Sequence, residues 1–254
     1  MIFAFILILL TAFSVFSLYL LIDQRVLWKL YGFVYDGLQH FYPYKELIGR
    51  VVEESNIEDG DSVLDIGCGT GNIAAFISGK KYAVRYTGVD SSRSMIARAK
   101  EKIKLYSTIN GNIIRKDIYD FLYRTDKKFD VIYIVNVLYA LSNRTEFYSL
   151  LKKHSSRGAR IVITNPDRAG SLQLIMYHLK KDNILNLFRP SLLLVAYFDL
   201  LINISYLAGR SYDFTSFDVL KDEAEKAGFH VTYIGRTYGD PVRGVNCLYV
   251  LRHK

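Results

Sequence analysis

The chain has 254 residues, half of them hydrophobic, enough for one large or two small domains with a substantial core. This composition excludes extended disorder and collagen-like or disulfide-stapled scaffolds, and Cys68 and Cys247 lie too far apart to form metal-ligand spacing. Lys and Arg number 33 against 25 Asp and Glu, and the resulting charge of +8 favours an anionic partner, phospholipid headgroup or nucleic acid, without choosing between them.

Met1 to Ile22 carry no charge, and as a helix they would extend about 33 Å, the thickness of a hydrocarbon core. The stretch lacks the basic start and small-residue cleavage site of a signal peptide, so a transmembrane anchor is expected over residues 1–22. Arg25 and Lys29 follow it directly, which places the remainder of the chain on the cytoplasmic side, in agreement with unpaired thiols. Residues 23–60 come next, with aromatics from Leu27 to Tyr44 that read either as juxtamembrane packing or as a lid, and a helical pattern over Lys45–Ser55.

From residue 61 onward strands and helices alternate. Strands are expected at Ser62–Ile66, Val84–Asp90, Ile113–Lys116, Phe129–Val135, Arg160–Asn165, His230–Ile234 and Asn246–Leu251, and helices at Gly71–Ser78, Ser92–Tyr106, Arg144–Ser155 and Thr215–Lys226. Such alternation indicates βαβ units and a mostly parallel sheet, an α/β class. Residues 168–212 interrupt the rhythm with two apolar helical patterns, Leu172–Phe188 and Ser191–Ala208. Asp199 and Asn203 argue against a second membrane span, and Lys180, Lys181 and Arg189 suit a surface-lying amphipathic helix on anionic lipid. Ordinary helix packing is the competing reading.

Val63-Leu-Asp-Ile-Gly-Cys-Gly-Thr-Gly71 carries the most chemistry. A buried strand ends at Ile66, and Gly67, Gly69 and Gly71 let the backbone turn tightly against a ligand before a helix opens. The dinucleotide fingerprint started at the strand end would need glycine where Asn72 stands, and no Lys-Ser/Thr pair completes a Walker loop. Asp90 lies 19 residues past Gly71, where an acid at the neighbouring strand's tip reaches a ribose. Its competing role is to cap the helix after Ser91, and Asp117 has a similar turn-forming alternative.

Val63 to Gly71 resembles motif I of the class I S-adenosylmethionine-dependent methyltransferases, and the resemblance runs from about Ile48 to Leu251. Thr87-Gly-Val-Asp90, Arg115-Lys-Asp-Ile118, Phe129 to Tyr139, and Ala224 to Val231 look like the family's later landmarks. The resemblance implies a seven-stranded Rossmann-like sheet of order 3-2-1-4-5-7-6 with helices on both faces, the seventh strand antiparallel. It also implies S-adenosylmethionine as cofactor, held by Asp65, Gly67, Cys68, Gly69, Gly71, Asp90, Ser91, Asp117, Ile118 and Asn136. Asp90 would take the ribose hydroxyls, Asp117 the adenine amino group, and Asp65 the glycines or the donor's ammonium.

The donor is already activated, so catalysis needs an in-line nucleophile and a dry site rather than a metal. Tyr139 either orients the acceptor or walls the pocket, and His178 and His40 are the candidate bases. The anchor, the aromatic segment and the apolar insertion together lead to an expected lipid or isoprenoid-like acceptor at a membrane surface, a phospholipid headgroup amine or a quinone. The alternatives are a nucleic-acid methyltransferase, disfavoured because Asn165-Pro-Asp-Arg168 lacks the aromatic of base-amine methylases, a soluble small-molecule enzyme, and a noncatalytic membrane scaffold.

Overall fold

The computed structural model describes residues 13–19, 23–168, 171–207 and 215–253. Most of the expected anchor therefore lies outside the described residues; its residues 13–19 are helical. Among the described residues no helix is long and apolar enough to cross a membrane.

Seven strands form one sheet of order β3-β2-β1-β4-β5-β7-β6. They are β1 (Ser62–Ile66), β2 (Val84–Asp90), β3 (Ile109–Arg115), β4 (Phe129–Val135), β5 (Ser155–Pro166), β6 (Phe229–Thr237) and β7 (Asn246–His253). The pairs among β1 to β5 are parallel, and β7 runs antiparallel to both β5 and β6. The expected order and the reversed last strand are both present.

Alternation along each central strand divides the core into two layers. Val63, Val131, Tyr133, Val162, Leu248 and Val250 face one side, while Leu64, Ile132, Ile134, Ile161, Tyr249 and Leu251 face the other. Period-two burial on both faces is what a sheet sandwiched between helices requires. Helices α1 (Gln24–Val34), α2 (Tyr42–Glu54), α3 (Asn72–Gly79) and α4 (Arg93–Ile103) cover the first face. On the second face lie α5 (Ile118–Arg124), α6 (Arg144–Lys153) and α9 (Phe217–Lys226). Arg144 makes a two-pronged ion pair with Glu223, at 2.8 and 2.9 Å, that ties α6 to α9.

The insertion folds as α7 (Ser171–Lys181), a 3-10 turn (Ile184–Phe188) and α8 (Pro190–Leu207). Leu192, Val195, Phe198 and Leu201 of α8 are buried in the first layer beside Leu27, Tyr31 and Leu38. The insertion thus packs on the aromatic N-terminal segment, whose 3-10 turn Tyr35–His40 meets the start of α8 at Gly37. A Cβ there would stand 2.7 Å from the Ser191 carbonyl oxygen, so glycine permits the contact. Core packing is real for one face of α8. Its other face carries exposed Leu193, Leu194, Leu200 and Ile204.

Candidate active site

The carboxyl ends of β1, β2 and β4 converge where the glycine loop leaves β1. Gly67, Gly69 and Gly71 have φ of 67°, 53° and 80°, backbone that L side chains rarely adopt. Gly67 is also confined by Val137, since a Cβ would stand 2.4 Å from its Cγ2. At Gly69 a Cβ would project into open space and meet only Tyr35, at 3.7 Å. The loop therefore presents bare backbone to a cavity of about 1520 Å³.

Of the residues that the sequence reading named, Gly67, Gly69, Asp90, Ser91, Asp117, Ile118, Asn136 and Tyr139 line that cavity. Asp90 does two jobs. Its Oδ2 accepts from the Gly69 amide at 3.0 Å and its Oδ1 from the Ser92 amide at 2.7 Å, so it fixes the loop while facing the cavity. Burial raises its pKa, and the two amide hydrogen bonds oppose the rise. Asp117 caps α5, accepting from the Tyr119 amide at 2.9 Å, so the turn-forming role is present alongside its place in the wall. Asn136 has φ 57° at the end of β4, and its Oδ1 accepts from Asn246 at 2.5 Å.

Other expected residues stand elsewhere. Asp65 and Cys68 are buried but do not line the cavity, and Asp65 accepts a short hydrogen bond from the Tyr86 hydroxyl. Burial pushes the Asp65 carboxyl up to about 7, against the Tyr86 hydrogen bond. Gly71 serves the turn into α3 rather than the wall. Neither candidate base lines the cavity: His40 is exposed, and His178 is fully buried with Nδ1 accepting from the Tyr42 amide at 3.1 Å and its ring stacked on Phe41. His178 fastens α7 to the start of α2.

Two groupings of residues escaped the sequence reading, although the second draws Tyr31, Tyr35 and Tyr44 from the aromatic segment read either as juxtamembrane packing or as a lid. Above the loop, Asp36 Oδ1 accepts from Thr70 at 2.6 Å and from Lys102 at 2.7 Å, with Arg98 3.7 Å away, while Lys102 also reaches Asn72 Oδ1 at 2.8 Å. This cluster fastens the 3-10 turn Tyr35–His40 over the loop and α4. Beyond it the cavity continues between Tyr31, Tyr35, Tyr44 and Tyr238 and the α8 residues Leu192, Val195 and Asp199. The helical period would have shown that Leu192, Val195 and Asp199 share a face. Nothing local says that this face meets tyrosines some 160 residues earlier.

S-adenosylmethionine suits the residues present: bare glycine backbone, an acid at the tip of β2 and another after β3 all face one cavity. Comparison with known proteins agrees. A methyltransferase-domain model matches residues 57–196, more than half of the chain. (S)-coclaurine N-methyltransferase of Papaver somniferum is 36% identical over 109 residues, covering 43% of this chain and 30% of that protein. Phosphoethanolamine N-methyltransferase 1 of Zea mays is 28% identical over 122 residues, covering 47% and 23% respectively. The chain thus spans less than a third of the length of these curated relatives. An S-adenosylmethionine-dependent methyltransferase from Aquifex aeolicus shares the fold with a TM-score of 0.53 at 18% identity, over 85% of this chain and 91% of that one. With the strand order, the glycine loop and the two acids in register, this chain belongs to the class I S-adenosylmethionine-dependent methyltransferase-domain family.

Proposed function

We propose that the protein transfers a methyl group from S-adenosylmethionine to a lipid or isoprenoid-like acceptor at a membrane surface. The observation that carries this reading is the shape of the cavity. It runs from Gly67, Gly69 and Asp90 to Ile175, Leu193 and Leu200, which line it and are also 41%, 52% and 55% exposed. On the side of the insertion the lining is therefore apolar, and the same insertion also exposes Met176, Leu179, Ile184, Leu185 and Phe188. A patch of this kind on a water-soluble face would be a liability, whereas a bilayer covers it. Exposed Lys180, Lys181 and Arg189 belong to the same insertion and suit anionic headgroups. Helix 13–19 touches the insertion, with Ser17 hydrogen-bonded to Tyr197 of α8 at 2.7 Å and with Phe13, Phe16 and Leu18 exposed. An anchor over residues 1–22 and a cytoplasmic catalytic domain complete the proposal.

The bound donor supplies a sulfonium-activated methyl. The protein's part is to hold the donor on the loop and Asp90, exclude water with the Tyr35–His40 turn, and admit the acceptor from the apolar side, so that proximity and desolvation lower the barrier. The test is incubation of the full chain with methyl-labelled donor and total membrane lipid, followed by organic extraction. Label in the extracted lipid is expected. Label confined to soluble metabolites or RNA overturns the proposal.

A further inference from the structure

The inner chamber is not uniformly apolar. Tyr31, Tyr35 and Tyr44 line one end, with ring centroids 5.1 Å apart for Tyr31 and Tyr35 and 6.0 Å for Tyr35 and Tyr44, and Phe198 packs against Tyr31 at 6.1 Å. Among these rings lies the Asp199 carboxyl, whose Oδ1 accepts from the Tyr31 hydroxyl at 2.7 Å. Tyr238 lies near enough to interact electrostatically with Asp199, Tyr44 and Tyr139. Tyr139 lines the donor end of the same cavity and Tyr35 approaches Gly69, so the chamber adjoins the place where the donor is held.

We infer that this chamber selects an amine, with Asp199 and the faces of Tyr31, Tyr35 and Tyr238 receiving the cationic nitrogen of a lipid-like acceptor. The inference rests on the proposed function and names the acceptor's reacting group. Electron-rich ring faces attract a cation, and more strongly away from water. A carboxylate adds the opposite charge that a desolvated ammonium needs. A phenol or quinol brings no positive charge for these groups to receive, and a neighbouring carboxylate disfavours its ionisation. Burial pushes the Asp199 carboxyl up to about 6, which an approaching ammonium would reverse.

The chemistry balances. The acceptor reacts as the neutral amine, its ammonium having released one proton to water, and Asp199 pairs with the positive charge that develops on nitrogen. The nitrogen lone pair then forms the new N–C bond as the C–S bond breaks, its electron pair passing to sulfur. The product nitrogen is again cationic and is suited to the same chamber, so the chamber accommodates successive methylations.

Two measurements on the full chain with bound donor test the inference. The first compares a single-chain lipid bearing a trimethylammonium head with its uncharged 3,3-dimethylbutyl isostere as inhibitors of methyl transfer to membrane lipid. The charged lipid should inhibit at least about tenfold more strongly, about 1.4 kcal/mol, and equal inhibition overturns the amine assignment. The second uses vesicles containing phosphatidylethanolamine or, separately, a long-chain hydroquinone. Label on the amine is expected, and Asp199→Asn and Tyr31→Phe should each raise the amine's KM at least fivefold while donor affinity stays within twofold. Label on the hydroquinone alone, or variants with unchanged KM, overturns the amine assignment and leaves the lipid reading intact. Label on neither, with label appearing only on soluble compounds, overturns both. Should Asp199→Asn fail to fold, the inhibitor pair on the unaltered protein decides the matter.

Discussion

The two ends of the cavity are built from different materials. At the donor end the loop presents backbone, Gly67 and Gly69 in left-handed conformation, with the Gly69 amide held by the Asp90 carboxylate at the tip of a parallel strand. At the proposed acceptor end side chains dominate, four tyrosines and one acid meeting across α1, the Tyr35–His40 turn, α2, α8 and the loop after β6. Backbone binding fixes one ligand, because few substitutions leave the shape intact. Side-chain binding is adjustable, so the acceptor end is where a methyltransferase fold can acquire a new substrate without disturbing its donor.

The sharpest way to break this contrast is to put a side chain on the donor end. Gly69→Val should lower donor affinity at least about 100-fold, about 2.7 kcal/mol, because its Cβ enters the cavity from a residue with φ 53°. The fold should lose only about 1 to 2 kcal/mol from the left-handed conformation. Calorimetric titration with donor and thermal unfolding separate the two effects, and normal affinity in a folded variant would remove the loop from the site. Asp90→Ala comes next, at about 1.5 to 3 kcal/mol of donor affinity, the range for hydrogen bonds to a charged group. The structure adds a consequence: the Gly69 and Ser92 amides lose their acceptor as well. Asp90→Asn, which keeps one acceptor oxygen, should recover part of the loss.

The donor end was legible in the sequence because its determinants are local. Glycines at alternate positions after an apolar strand, and acids at the ends of the next two strands, sit within a few residues of the elements that place them, and β1, β2 and β4 have the expected bounds. Edge and insertion elements were less clear. β3 begins at Ile109 rather than Ile113, because Asn110, Gly111 and Asn112 carry no strand signal yet pair with Arg85, Tyr86 and Thr87. The short helix α5 was missed, since Tyr and Asp at its start blur a seven-residue pattern. At the acceptor end the informative contact, Tyr31 to Asp199, joins residues 168 apart, and no periodicity within either helix points to the other. Sequence placed the histidines among the candidate bases by chemistry alone, and packing put neither in the cavity wall.

The exposed apolar side chains of the insertion offer a way to sharpen the comparison from the other side. Leu185→Glu, Phe188→Glu and Leu194→Glu together replace side chains that are 68%, 65% and 48% exposed, so the folded state should change little. Binding to anionic vesicles should fall at least about tenfold, less than the full transfer energy of about 1.5 to 3 kcal/mol for each side chain. Donor affinity should not move. Vesicle binding equal to that of the unaltered protein would assign the patch to something other than a bilayer.

Stability against pH probes the carboxyl beneath the donor loop. In the folded chain Asp65 is pushed from its ordinary 3.8 up to about 7. Below the lower value both folded and unfolded chains hold the proton. Between the two values the unfolded chain gives up its proton and the folded chain keeps it, so the stabilising contribution of the neutral form declines as pH rises and is gone above the folded pKa. Asp65→Asn should flatten that decline by up to about 1.4 kcal/mol per pH unit between roughly pH 4 and 7. Denaturant unfolding of both proteins at several pH values measures the difference. Parallel curves would show that the Tyr86 hydrogen bond, and not burial, governs this acid.

The smallest effect is expected where the two ends meet. Asp36 belongs to the turn that carries Tyr35 over Gly69, and its carboxylate is gripped by Lys102 and Thr70. Asn72 extends the grip by accepting from Gln39 at 3.0 Å and donating to the Tyr44 hydroxyl at 3.0 Å. The same cluster therefore holds the roof of the donor site and one wall of the acceptor chamber. Because the Asp36 side chain is 29% exposed, water screens its ion pair, and losing it should cost no more than about 1 kcal/mol. Asp36→Asn should then speed donor release a few-fold while leaving thermal stability nearly unchanged, since the turn is also packed through Leu38 and Gly37. Trp28, the sole tryptophan, lines the cavity and provides a fluorescence signal for stopped-flow release. Release at the original rate would mean that packing against α8 alone holds the roof shut, and the acceptor end would then govern donor exchange through that helix.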